Sequence, residues 1–132
     1  MATIRNEFLI NATPDAVWNA VRDFHHPHVK LVPGFVTDSK PDGDARIVTF
    51  ANGMTAREQL VSVDEEHRRF VYAITEGRAA HYSASVEVIA EGDGRTRFRW
   101  LIDVLPNELA APVAAMAAQG VEAMKRALEG KR

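Results

Sequence analysis

The sequence predicts an α+β protein in which a curved antiparallel sheet of seven strands wraps around one long C-terminal helix, with two short helices between strands 1 and 2. Apolar and polar residues alternate through most of the chain from Phe35 to Leu105, as in half-buried strands. The links between these runs are too short for parallel crossovers. After Pro106 the apolar residues recur with the period of a helix. This pattern predicts a long helix that covers the concave face of the sheet.

The first strand is predicted over residues 3–11, and a helix start follows it directly. In Thr13-Pro14-Asp15 the threonine can cap free N–H groups, the proline suits the first helical position, and the acid faces the positive end of the helix dipole. We expect this helix over residues 14–23, with Pro27 ending or redirecting it. Residues 28–32 could form one further helical turn.

Six further strands alternate with links that carry the turn-forming residues Gly, Asn, Asp and Pro. They are predicted at residues 35–39, 45–51, 54–63, 68–75, 81–89 and 96–105. Pro112 is unfavourable inside a helix, so we expect a loose turn from Pro106 and a continuous helix over residues 112–129. Gly120 in that helix indicates either close packing against a strand or a cavity wall.

Composition narrows the classes of function. The 132 residues are 46% hydrophobic and 26% charged, which suits a single domain over residues 1–132. Sixteen Lys and Arg against 18 Asp and Glu give a net charge of -2, which disfavours a nucleic-acid partner. The absence of cysteine excludes disulfides and thiolate metal sites. Without a signal-like or membrane-spanning apolar run, we expect a cytoplasmic monomer or homodimer with no membrane insertion.

Glu58 is the most informative residue of the predicted sheet. Alternation in strand 54–63 places it on the same side as Ala56 and Leu60, and Leu60 suggests that this side faces inward. An ionised carboxylate is costly in a dry apolar core without a partner. Either this face lines a polar, roomy cavity, or Glu58 points outward and the strand phase is reversed. The cavity agrees better with the rest of the chain.

The alternation also predicts a common inner surface that is mostly apolar. Its strand members are Val48, Phe50, Glu58, Leu60, Phe70, Tyr72, Ile74, Tyr82, Ala84, Val86, Val88, Phe98, Trp100 and Ile102, and the helix adds Met116 and Gly120. The polar groups are Glu58, the two tyrosine hydroxyls and the Trp100 N–H. Small-molecule sites have this make-up, although aromatic stripes in strands are also ordinary core.

Two roles for Glu58 stay open at this point. A buried, unpaired Glu58 would suit a general acid or base acting on an enolisable carbonyl, with Tyr82 or Tyr72 donating a hydrogen bond to the developing oxyanion. A Glu58 paired with Arg46 would instead position a ligand hydroxyl or hold the mouth of the barrel.

No cofactor or metal is predicted. The sequence contains no Gly-rich phosphate loop, nucleophile elbow or metal-ligand helix motif. His25, His26 and His28 lie on the link between the two short helices, where a turn cannot readily aim all three at one ion. We interpret them as part of a solvated loop.

Several short motifs together carry a resemblance to a known superfamily. The run Ala12-Thr13-Pro14-Asp15-Ala16-Val17-Trp18, followed by Asp23-Phe24, resembles the opening of START-like, or helix-grip (SRPBCC), domains such as birch-pollen-allergen-like proteins, polyketide cyclases and dehydrases, and plant abscisic acid receptors. Further matches are Arg46-Ile47-Val48, Asn52-Gly53, Glu58-Gln59-Leu60, the turn at 64–69, Tyr72-Ala73-Ile74, Tyr82 and Trp100. The resemblance covers nearly the whole chain and is closest to the polyketide cyclase/dehydrase branch.

The resemblance implies a cavity between the sheet and the C-terminal helix, with a mouth bordered by loops 51–56 and 76–81. It places Glu58 and Tyr82 on the cavity wall and Arg46 and Arg78 near the mouth. Pro33 lies near the position of the ligand-contacting lysine of the plant receptors, so a receptor role is not implied.

Three functions follow from this resemblance. The first is binding of a hydrophobic small molecule, lipid or polyketide-like, in the cavity. The second is a polyketide cyclase/dehydrase-type enzyme with Glu58 as acid/base and Tyr82 as its catalytic partner, without metal or nucleotide. The third is a protein-partner module of the chaperone-activator type, which would have a collapsed cavity and an exposed apolar patch.

Overall fold

The computed structural model describes residues 2–130, so the predicted domain range 1–132 extends beyond the described residues at both ends. The strands are β1 (Ala2–Ile10), β2 (Val36–Asp42), β3 (Ala45–Phe50), β4 (Thr55–Asp64), β5 (Arg69–Ile74), β6 (His81–Ala90) and β7 (Thr96–Leu105). The helices are α1 (Pro14–Arg22), α2 (Pro27–Lys30) and α3 (Ala110–Leu128), and a 3-10 turn over Asn107–Leu109 leads into α3.

The strands form one seven-stranded antiparallel sheet in the order β1-β7-β6-β5-β4-β3-β2. All neighbours except β1 and β7 are consecutive in the chain, as short hairpin links require. β1 closes the arrangement by pairing with β7, from Ala2 opposite Val104 to Ile10 opposite Thr96. Together with α3, this sheet confirms the predicted helix-grip fold class.

Helix α1 forms as the sequence predicts. The Thr13 hydroxyl accepts a hydrogen bond from the Ala16 N–H at 3.2 Å, and Pro14 occupies the first turn. Val17 and Trp18 are buried on its inner face, and the Trp18 indole N–H donates to Glu65 Oε1 at 2.8 Å. These contacts join α1 to the turn between β4 and β5.

Three predicted elements differ from the structure by two or three residues at one end. Helix α3 begins at Ala110, because Pro112 falls in the first turn, where its missing N–H has no intrahelical partner to lose. Strand β2 continues through Pro41 to Asp42, and it can do so because β2 is an edge strand of the sheet. The short second helix starts at Pro27 and ends at Lys30.

Helix α3 packs across the concave face of the sheet with its small residues inward. Ala117, Gly120, Ala123 and Met124 are buried. A Cβ atom added at Gly120 would lie 3.3 Å from the Trp100 ring, so glycine permits close approach of helix and sheet. Within residues 2–130, no helix has the length and apolar character to cross a bilayer.

Candidate functional site

A cavity of about 210 Å³ lies between the concave face of the sheet and α3. Of the predicted ligand-binding residues, its wall contains Arg46, Val48, Phe50, Glu58, Tyr72, Tyr82, Trp100 and Met116. The helix also contributes Val113, Ala117 and Met124. The predicted inward phase of β4 is therefore correct at Glu58.

The other predicted ligand-binding residues lie outside the cavity wall. Phe98 is fully buried and stacks on Phe8 at a centroid distance of 5.2 Å. Ala84 is buried between the longer cavity-lining neighbours Tyr72 and Ile102, which stand opposite it on adjacent strands. Its methyl group is too short to reach past them.

Leu60 and Gly120 fall outside the wall for different reasons. Leu60 stands where the β4–β5 register shifts at a bulge, which redirects the strand before Ser62. Gly120 packs against the rings of Trp100 and Phe35, at 3.3 and 3.4 Å from the Cβ position. Of the two alternatives for this glycine, the structure therefore shows close packing.

Sequence reasoning missed one side of the cavity, formed by the α1–α2 region. Val21, Pro27, Leu31, Val32 and Phe35 line it. The apolar pair Leu31-Val32 next to a proline-containing link was the available signal, but the pattern does not show which element this link covers. The structure shows that this region lines the same cavity as α3.

Arg46 and Glu58 form a buried ion pair in the cavity wall. They stand directly opposite each other on β3 and β4, so their side chains share the inner face. Arg46 Nε and Nη2 both lie 2.7 Å from Glu58 Oε1. Both residues are 6% exposed. The resemblance implied a position near the mouth for Arg46, and the structure buries Arg46 in the cavity wall.

The guanidinium of Arg46 has further partners besides Glu58. Its Nη1 donates to the Phe24 carbonyl oxygen at 2.7 Å. Its central carbon lies 4.5 Å from the centroid of the Phe24 ring and 5.4 Å from that of the Tyr72 ring, which are cation–π distances. These contacts hold the cation in one place and occupy three of its five N–H donors.

Tyr72, Tyr82 and Trp100 supply the remaining polar groups. Burial, followed by the negative charge of Glu58, raises the pKa of Tyr82 above its ordinary value. The same two causes, in the same order, raise the pKa of Tyr72. The Trp100 side chain opposes this rise in the pKa of Tyr72, but the buried Trp100 N–H makes no hydrogen bond within residues 2–130.

The mouth of the cavity lies at the link between β3 and β4. Met54 of this link lines the cavity together with Thr55 and Ala56 at the start of β4, and Met54 is 58% exposed. The second loop implied by the resemblance, 76–81, contributes no lining residue, and Arg78 is an exposed residue outside the wall.

The histidine cluster on the link shows no metal-site geometry. No group of three or more His, Asp or Glu side chains within residues 2–130 could hold an ion. The His26 ring pairs with Asp23 at 2.8 Å, while Nδ1 of His25 and of His28 is buried without a partner in this part of the chain.

Comparison with solved structures supports the fold. A protein from Nitrosospira multiformis has a TM-score of 0.85 at 18% identity, covering 99% of this chain and 100% of that one. A protein from Thermobifida fusca has a TM-score of 0.78 at 26% identity, covering 98% and 91%. The di-domain ARO/CYC BexL from the BE-7585A biosynthetic pathway has a TM-score of 0.82 at 17% identity, covering 98% of this chain and 47% of its own.

A search of curated proteins found no significant match. The family described as polyketide cyclase/dehydrase and lipid transport matches residues 1–130. Together with the helix-grip architecture, this match shows that the chain belongs to the polyketide cyclase/dehydrase and lipid transport family of the START-like superfamily.

Proposed function

We propose that this protein binds a small hydrophobic molecule in the cavity between the sheet and α3. The supporting observation is a mostly apolar space of about 210 Å³ with Glu58 and Tyr82 among the residues of its wall. Protein interiors are close-packed and rarely leave voids larger than a water molecule. Family membership and the fold agree with a ligand as the reason for this space.

The cavity volume sets the size of the ligand. At ~30 Å³ per water molecule in the liquid, 210 Å³ corresponds to roughly seven waters. Sites for drug-sized ligands usually have about 300–1,000 Å³. A compound of one or two rings, or a short acyl chain, therefore suits the cavity better than a two-chain lipid or a four-ring polyketide.

Catalysis of the polyketide cyclase/dehydrase type is the second candidate. Glu58 and Tyr82 line the same cavity, as acid/base chemistry on a carbonyl substrate would need. However, the 2.7 Å contact with Arg46 engages the Glu58 carboxylate, which favours a positioning role over proton transfer. A partner module of the chaperone-activator type predicts a collapsed cavity, and the open space argues against it.

Matched substitutions on α3 test the binding proposal. Ala117 lines the cavity, whereas its neighbour Ala118 is exposed on the same helix. Ala117→Leu adds three carbon atoms to the cavity, and Ala118→Leu adds them outside it. We expect naphthol, a neutral two-ring probe, to bind the wild type and the Ala118→Leu protein alike in calorimetric titration. Affinity should fall at least about tenfold in Ala117→Leu, because a well-packed site does not accept extra volume.

Equal loss of naphthol affinity in both variants would contradict the proposal. So would the absence of naphthol binding together with native mass spectra of protein purified from its own host that show no retained small molecule. Conversion of a poly-β-keto substrate by the wild type, lost in Glu58→Gln with ligand affinity intact, would favour the enzymatic candidate.

A further inference from the structure

We infer that the Arg46–Glu58 pair makes the cavity selective for electrically neutral ligands, and that Glu58 excludes carboxylates by occupying the cation they would otherwise bind. This inference rests on the proposed binding function and names its ligand class. The expected ligand is a one- or two-ring compound with a hydroxyl or carbonyl oxygen and no formal charge.

The charge balance of the wall supports neutrality. Arg46 and Glu58 are the charged side chains among its described lining residues, and their charges cancel within one contact of 2.7 Å. Burial, then the charge of Glu58, raises the pKa of Tyr72 and of Tyr82, so both hydroxyls stay protonated at neutral pH. An incoming charge would therefore have no counter-ion of its own.

Arg46 is a poor anchor for an acid because three of its five N–H donors are already used and its charge is already neutralised by Glu58. Nε and Nη2 face Glu58, and Nη1 donates to the Phe24 carbonyl oxygen. A ligand carboxylate would have to displace Glu58, which would then stay buried without a partner, or lie beside it as a second negative charge. Both arrangements are unfavourable in a site from which the ligand displaces water.

A cationic ligand meets the opposite difficulty. An ammonium group paired with Glu58 would leave two buried cations for one carboxylate, because Arg46 already pairs with Glu58 Oε1. A neutral oxygen avoids this conflict. A hydroxyl can donate to Glu58 while it keeps Arg46, and a carbonyl can accept from the protonated hydroxyl of Tyr82, which lines the same cavity.

Three probes with one ring system test the inference on the wild-type protein. Naphthol is neutral at neutral pH, naphthoate is an anion, and naphthylmethylamine is a cation. In calorimetric titrations we expect naphthol to bind at least about 100-fold more tightly than either charged probe, since each charged probe leaves one buried charge uncompensated.

Glu58→Gln tests the role of Glu58 directly. It keeps the side-chain size but removes the negative charge, so Arg46 becomes available to an anion. We expect naphthoate affinity to rise at least about tenfold relative to the wild type and naphthol affinity to fall, because the amide oxygen of the variant accepts from the naphthol hydroxyl without the charge of Glu58. The control is Glu87→Gln, which removes the same charge from an Arg99 partner outside the cavity. It should leave all three affinities unchanged.

The outcomes separate the two proposals. Wild-type protein that binds naphthoate as tightly as naphthol would overturn the neutrality inference and leave the binding function intact. Failure of every probe, with no retained host molecule, would instead remove the binding function. A Glu58→Gln protein that folds, as judged by circular dichroism, yet gains no affinity for naphthoate would also overturn the inference. If that variant does not fold, the wild-type comparison of the three probes still decides.

Discussion

Replacing Arg46 with methionine should strongly destabilise the protein, because it leaves Glu58 as a buried carboxylate without its partner. At 2.7 Å and an effective dielectric constant of about 20, the charge contact alone is worth about 6 kcal/mol. Water entering the cavity and relaxation of the wall should recover part of this. Removing one member of a buried ion pair typically costs about 3–5 kcal/mol, and we expect Arg46→Met to fall in that range.

Urea unfolding measures this loss. With a slope of about 2 kcal/mol per molar urea, a loss of about 3–5 kcal/mol lowers the midpoint by about 1.5–2.5 M. Two further variants separate the causes. Arg46→Met/Glu58→Leu should regain most of the loss, because apolar residues of similar volume replace a buried pair without penalty. Arg99→Met, which breaks half-exposed pairs with Glu7 and Glu87, should cost about 1 kcal/mol or less.

Two results would refute this reasoning. If Arg46→Met shifts the midpoint no further than Arg99→Met, the Arg46–Glu58 contact is effectively solvated. If the double variant is less stable than Arg46→Met, the loss comes from the packing of the arginine side chain against Phe24 and not from the orphaned carboxylate.

Two further predictions concern Tyr82 and Gly120. The raised pKa of Tyr82 adds stability that is present below the unfolded-chain pKa of about 10.0 and lost as pH rises toward the folded-state pKa. Tyr82→Phe should therefore make the alkaline decline of the unfolding free energy, measured by urea titration, shallower by up to about 1.4 kcal/mol per pH unit. An unchanged decline would show that Tyr82 titrates as in the unfolded chain. Gly120→Leu should lower the free energy of unfolding by about 1–3 kcal/mol in urea and weaken naphthol binding. A Cβ atom added at this position would lie 3.3 Å from the Trp100 ring, which borders the cavity. Wild-type stability in Gly120→Leu would mean that helix and sheet can separate without cost.

Local patterns predicted most of the fold because strands, turns and caps depend on neighbouring residues. Alternation gave the inward phase of Glu58, and Thr13-Pro14-Asp15 gave the start of α1. The local patterns predicted the wrong end of an element where the position of that element in the tertiary structure decides it. Pro41 is compatible with β2 only because this strand lies at the edge of the sheet, which is a property of the whole topology.

The contact between Arg46 and Glu58 depends on the pairing register of β3 and β4, which the sequence does not determine. An Asn-Gly pair commonly forms a two-residue turn, and with such a turn at Asn52-Gly53 the residue opposite Arg46 would be Gln59. The structure instead has a longer link, in which the Gly53 N–H donates to the Phe50 carbonyl oxygen at 2.9 Å and the Phe50 N–H donates to the Met54 carbonyl oxygen at 2.8 Å. Gly53 has a φ of 88°, as this loop needs. One additional loop residue thus brings Glu58 opposite Arg46.

Stability alone does not account for an ion pair at this position. Apolar residues of similar volume would hold β3 and β4 together at least as well, because the cost of taking two charges out of water offsets much of their attraction. The pair also places polar atoms in the wall of the cavity, at positions where apolar side chains could have filled the space. The wall instead presents one neutralised charge pair next to unfilled space, and this arrangement suits discrimination among ligands. A site with buried polar groups rejects molecules that leave those groups uncompensated.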